Sequence, residues 1–143
     1  MAMSDTFHRL VSSRWVYRIG LLGLVAAYLQ GGLVKLFDYA GALGEMAHFG
    51  LHPAWFFAPL VIALELGASL LIIAGILRAP AALALAAFTL AATFIALPFW
   101  TMAPGQERFM AANSFFEHLG LVGGFLLVAW HDARRTTKGA IHD

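Results

Sequence analysis

Long apolar runs alternate with short polar segments along this chain. No Asp, Glu, Lys or Arg occurs between Arg78 and Glu107, and Glu65 alone interrupts the stretch from Glu45 to Arg78. A hydrocarbon core ~30 Å thick needs about 20 mainly apolar residues in helical form. Four segments meet that length, over residues 17–37, 53–77, 80–100 and 111–130. They must be helices, because an unpaired backbone N–H or C=O is too costly in lipid and the runs are too long for barrel strands. The turn between the second and third runs is about two residues, which makes those helices antiparallel neighbours. The pattern predicts an all-α fold: a transmembrane antiparallel four-helix bundle that takes residues 1–143 as one domain.

The N-terminal pattern imitates a signal peptide, with Arg9, Arg14 and Arg18 ahead of Ile19-Gly20-Leu21-Leu22. No small-residue cleavage site comes after it; Gln30, Lys35 and aromatics come instead. The first run therefore reads as a retained span. Composition agrees with the bilayer. Of 143 residues, 61% are hydrophobic and 12% charged, with a mean hydropathy of +0.78. A soluble domain carries roughly 45–50% and about 25%, and one this small has too much surface to hide the excess. The net charge of +1, without a basic stripe, excludes a nucleic-acid partner. The lack of cysteine excludes disulfides, iron–sulfur clusters and thiol chemistry.

Lys and Arg set the orientation. Arg9, Arg14, Arg18, Arg78, Arg134, Arg135 and Lys138 fall on one side, and Lys35 and Arg108 on the other. Both termini and the Arg78-Ala79-Pro80 turn are expected to be cytoplasmic. Trp15 and Trp130 then mark one interface, Trp55 and Trp100 the other. Residues 38–52 and 101–110 face away from the cytoplasm. With Gly41, Gly44 and Gly50, the first of these reads as a loop that turns into the second span at Pro53. Ala63-x-x-x-Gly67 and Gly120-x-x-x-Gly124 have the spacing of close helix contacts.

Polar groups inside the spans carry the chemical information, since each must be paired or hydrated. They are Gln30, Lys35, Glu65, Ser69, Thr89, Thr93, Asn113, Glu117 and His118. At ~1.5 Å per residue, Gln30, Lys35, Asn113, Glu117 and His118 lie in the non-cytoplasmic half and Glu65 near the middle. Glu65 is either protonated or partnered, with Lys35, His118 and Gln30 as candidates. Its role is then to fix helix register or to handle a proton or a ligand. Lys35 can snorkel to the headgroups or pair with Glu117. Glu117 and His118 point about 100° apart on a helix, so one faces the bundle and the other its surface. Glu45, His48 and His52 have a spacing that could offer a metal three ligands. Gly50 and Pro53 interrupt the segment, so a solvated loop is preferred and no metal is expected. His8, His131 and His142 lie in terminal polar segments and carry no signal.

The chain resembles the DoxX family. The matching pieces are Gly32-Leu33-Val34-Lys35, Glu65 followed by Gly75-Ile76-Leu77-Arg78, and Asn113-Ser114-Phe115-Phe116-Glu117-His118-Leu119-Gly120 with Gly123-Gly124 after it. The resemblance spans residues 14–130. It implies a four-helix bacterial inner-membrane protein, whose relatives include a small subunit associated with a thiosulfate:quinone oxidoreductase. The family's Lys and Glu carry over onto Lys35 and Glu65. The resemblance thus leads to the expectation of a redox-associated subunit without a self-sufficient catalytic motif. It would contact quinone, or a quinone-reducing partner, through Lys35, Glu65, His118, Glu117 and Gln30, with Phe94, Phe115 and Phe116 as walls. Lys35 and His118 would be donors and Glu65 a proton relay. No cofactor is intrinsic; quinone is the candidate. The lipid bilayer, a second copy or a membrane redox protein are the expected partners. The alternative is a non-enzymatic scaffold or assembly factor.

Overall fold

A computed structural model describes residues 2–139, with side chains from 5 to 135. The side chain of Lys138 and all of His142 lie outside the described residues. Among the described residues six helices occur in order: α1 (Ala2–Val11), α2 (Arg14–Phe37), α3 (Tyr39–His48), α4 (Ala54–Ala74), α5 (Arg78–Ala96) and α6 (Gln106–Gly139), with a 3-10 turn at Phe99–Thr101. Among the described residues there is no strand. Four stretches are long and apolar enough to cross a membrane: Arg14–Phe37, Ala54–Ala74, Arg78–Thr101 and Gln106–Arg135. The chain is a multi-pass, all-α membrane bundle.

Local chemistry sets the ends of these helices. The Ser13 hydroxyl accepts from the Val16 N–H at 3.3 Å and caps α2. Asp38 serves two helices. Its N–H closes α2 on the Val34 carbonyl at 2.8 Å, and its carboxylate accepts from the Gly41 N–H at 3.0 Å to start α3. α3 is therefore a helix where glycine content alone predicts a loop. Ala42 and Met46, four residues apart, seat it on Ala58 and Val61 of α4. Burial of this short apolar face outweighs the two helical glycines, which cost about 1 kcal/mol each. The last span is also longer than its apolar run, because α6 continues as a helix at both ends.

The helices pack in sequence: α2 on α4, α4 on α5, α5 on α6, with only sparse contact between α6 and α2. One end of the bundle is tightly locked. Gly75, at φ 79°, ends α4 in the left-handed region, and a Cβ there would meet the Arg78 guanidinium at 2.8 Å. Leu77 comes next at φ 49°, a conformation that costs a non-glycine residue roughly 1–2 kcal/mol. Polar bonds around Arg78 offset it. Its Nε donates to the Ile72 carbonyl at 2.8 Å, and a terminal nitrogen lies 3.6 Å from Asp132 Oδ1. Asp132 Oδ2 accepts from the Ala79 N–H at 3.2 Å. The guanidinium also lies 5.6 Å from the Tyr17 ring centroid. α2, α4, α5 and α6 thus meet at one side chain. Above this lock sits the main core, where Val25, Ile72, Leu85 and Phe125 are fully buried.

The close helix contacts differ from those that small-residue spacing suggests. Ala63 is exposed and Gly67 has nothing near its missing Cβ. The tight approach is at Gly32, where a Cβ would lie 2.7 Å from Leu66 Cγ and 3.3 Å from Glu65 Cβ. On α6, Gly124 makes the contact, against Leu24, while Gly120 meets open space.

Substitutions at these contacts have defined stability outcomes. Gly32→Ala overpacks the α2–α4 contact and lowers unfolding free energy by ~1–3 kcal/mol, whereas Gly23→Ala, with nothing within 4 Å, leaves it unchanged or higher. Asp132→Ala costs about 1–2 kcal/mol by removing a capping acceptor, and Asp132→Asn recovers part of that. Denaturant titration of the purified variants in detergent measures both.

Candidate functional site

The half of the bundle that carries α3 holds a cavity of about 270 Å³. Every long helix contributes to it. Tyr28, Gly31 and Lys35 come from α2, Glu45 and Met46 from α3, Val61 and Glu65 from α4, Phe88 and Thr89 from α5, and His118 and Leu121 from α6.

Lys35 and Glu65 meet because Gly32 lets the α2 and α4 backbones approach. Lys35 Nζ lies 3.3 Å from Glu65 Oε2 and 3.4 Å from Oε1. Glu45 Oε1 lies 3.7 Å away on the other flank of the ammonium. Side-chain exposure is 13% for Lys35 and 9% for Glu65, against 42% for Glu45. The acid in the middle of its span is thus partnered, and the lysine is drawn inward rather than snorkelling. With all three ionised, the cluster carries one net negative charge.

A second polar line runs along α5, one turn per step. The Thr89 hydroxyl donates to the Leu85 carbonyl and the Thr93 hydroxyl to the Thr89 carbonyl, both at 2.6 Å. A hydroxyl has a single proton, so each threonine can only accept from its other neighbour. Tyr28 therefore donates its O–H to Thr89. With the Thr93 proton on the Thr89 carbonyl, His118 Nδ1, 3.0 Å from Thr93 Oγ1, is the donor between the two. That fixes the ring as the Nδ1–H form, or as the cation, and in the neutral ring it leaves Nε2 as an acceptor.

Among the residues that sequence alone nominates, Lys35, Glu65 and His118 line one cavity, while Gln30 and Glu117 do not. Gln30 is exposed because it lies five positions from Lys35, on another face of α2. Glu117 is exposed one position from His118, and the expected Lys35–Glu117 pair is replaced by Lys35–Glu65 and Lys35–Glu45. Phe94, Phe115 and Phe116 are absent from the walls. They form an aromatic cluster with Phe99 and Trp100, with Phe94 and Phe115 at 5.4 Å between centroids. Phe49 and Phe88, with Tyr28, are the aromatic walls instead. Ser69, one turn below Glu65, is fully buried, and its hydroxyl has no hydrogen-bond partner among the described residues.

Several site residues escape sequence reasoning. Tyr28 could have been found, since it shares a face with Gly32 and Lys35 at positions i, i+4 and i+7. Thr89 and Thr93 gave the same signal at i and i+4. Glu45 carries only the spacing of a possible metal ligand, and Met46 and Phe49 carry no signal, because their segment has the composition of a loop. His48 and His52 are exposed, and no group of three possible metal-ligating residues occurs among the described ones.

Ligand pockets typically run ~300–1,000 Å³, so this cavity is small. It suits one ring or a small polar headgroup. No curated protein and no solved structure matches the chain. The sequence profile described as DoxX matches residues 18–98, from the first turns of α2 to the end of α5. That stretch contains Tyr28, Lys35, Glu45, Glu65 and Thr89 and stops short of His118. Because it takes in more than half of the chain, including the helices that bring Lys35 to Glu65, the chain belongs to the DoxX family.

Proposed function

We propose that this protein is a subunit of a redox system in the bacterial inner membrane. In this reading it binds a quinone headgroup in the Lys35–Glu65 cavity, next to a partner that supplies or removes electrons. Both termini are cytoplasmic, and the cavity lies in the opposite half. The observation that carries this reading is the juxtaposition of a near-buried ion pair and apolar walls in a cavity of one-ring size.

The donor set suits such a ring. A bound quinone supplies a two-electron, two-proton couple that this chain lacks. An ammonium has three donors; the two oxygens of Glu65 engage two, Glu45 at 3.7 Å lies beyond hydrogen-bond distance, and the third is available to a carbonyl oxygen. Neutral His118 offers an acceptor at Nε2 for a hydroxyl of the reduced ring. Glu45, the most exposed member, connects Lys35 to the surface and gives protons a way in. Phe49, Phe88 and Leu121 hold the ring and exclude water.

One observation favours the second reading, a scaffold or assembly factor. An open apolar groove on α6, lined by Gly120, Gly123, Gly124 and Leu127, faces away from the core. A partner helix could approach closely there.

Quinol binding to the protein in nanodiscs separates the two. Glu65→Gln and Lys35→Ala should each weaken binding about tenfold or more, equivalent to ~1.4 kcal/mol. Unchanged affinity in both variants rejects the ligand site and leaves the scaffold. The stability of the same variants should differ. Lys35→Ala leaves two acids without their cation and costs about 3–5 kcal/mol. Glu65→Gln leaves Lys35 with Glu45 and costs less. Chemical unfolding of the ligand-free protein reads that order.

A further inference from the structure

The cavity holds a ring and little more, so a larger ligand must leave part of itself outside. The seam between α2 and α6 shows where. Away from α3 these helices are joined. A Cβ on Gly124 would lie 2.9 Å from Leu24 Cδ1, Tyr28 and Phe125 stack edge-on at 5.3 Å, and Tyr17 meets His131 at 5.1 Å. From the level of the Tyr28–Phe125 contact toward α3, Ala27 and Gly31 of α2 and Leu121 and His118 of α6 all line the cavity.

Ala27 is exposed although it lines the cavity, as are Ile95 of α5 and Glu45 of α3, so Ala27 is one of the places where the cavity comes near the outer surface of the bundle. Gly31, one turn on, has no side chain to cover the ion pair. A Cβ there would sit 3.5 Å from Lys35 Nζ and 3.6 Å from Glu65 Oε2. Both positions lie well inside the apolar span Arg14–Phe37. The opening therefore faces hydrocarbon, while the other polar rim, at Glu45, faces the surface beside α3.

We propose that the α2–α6 seam is a lateral portal through which a bilayer-dissolved amphiphile seats its head against Lys35 and Glu65. Its apolar tail runs past Ala27 and Gly31 and stays among the lipid chains. The inference rests on the headgroup reading above and adds the ligand class: neutral head, long tail. Charge selects the head. With both acids ionised, one cation between them repels a carboxylate or phosphate, whereas a neutral ring with carbonyl or hydroxyl groups meets no such repulsion.

The test uses full-length protein in nanodiscs and two photoreactive azido-benzoquinones, one with a decyl tail and one without. Ala27→Leu fills the seam without touching the charged cluster, and Ala63→Leu, exposed on α4 and away from the cavity, is the control. The portal predicts that Ala27→Leu cuts labelling by the decyl probe tenfold or more. Labelling by the tailless probe then stays within twofold, and Ala63→Leu changes neither. Excess dodecanoate should not compete. Decyl labelling that survives Ala27→Leu, or falls equally with both probes, overturns the portal while leaving the headgroup site standing. A wild-type protein labelled by neither probe overturns the headgroup site and the portal with it.

Discussion

A charge placed in oil must find its opposite, and the architecture of this protein depends on that constraint at Glu65. An uncompensated ion in a low-dielectric interior costs several kcal/mol, so the bundle must deliver a cation to the middle of α4. Lys35 reaches it only because Gly32 removes the Cβ that would hold α2 and α4 apart. The pair joins α2 to α4, and the space beside it becomes a cavity because no large side chain from α2 fills it.

The two halves of the bundle use their polar groups differently. At the locked end, Arg78 and Asp132 satisfy helix termini: the Ile72 carbonyl and the Ala79 N–H. Those bonds tie the ends of the helices together. In the half with α3, polar groups face one another across a void. Lys35 retains a donor, and neutral His118 retains Nε2 because Thr93 has already given its proton to the Thr89 carbonyl. One end holds the helices together, and the other keeps unused hydrogen-bonding capacity next to apolar walls.

Much of this was legible in the residue pattern. Hydrophobic run length specifies the four spans, because backbone groups in lipid leave no alternative to helices. The scarcity of polar residues within those spans draws attention to Lys35, Glu65 and His118 for the same reason. Linear order also says that Glu117 and His118 cannot both face inward, though not which one does. That choice depends on how α6 is rotated against α5, and the packing of Phe115 and Phe125 settles it.

The sequence by itself determined the solvent, the number of crossings and the set of groups that must be satisfied. All three derive from transfer energies, which depend on residue type and on neighbours along the chain. The tertiary structure decided which of those groups meet. It turned residues 39–48 into a helix by giving Ala42 and Met46 a surface on α4. It brought Glu45 to Lys35, sent Gln30 and Glu117 outward, and left Ala27 exposed beside the cavity. These outcomes depend on side-chain volumes across helix interfaces, where one missing Cβ moves a backbone, and linear order does not record which residues lie across an interface.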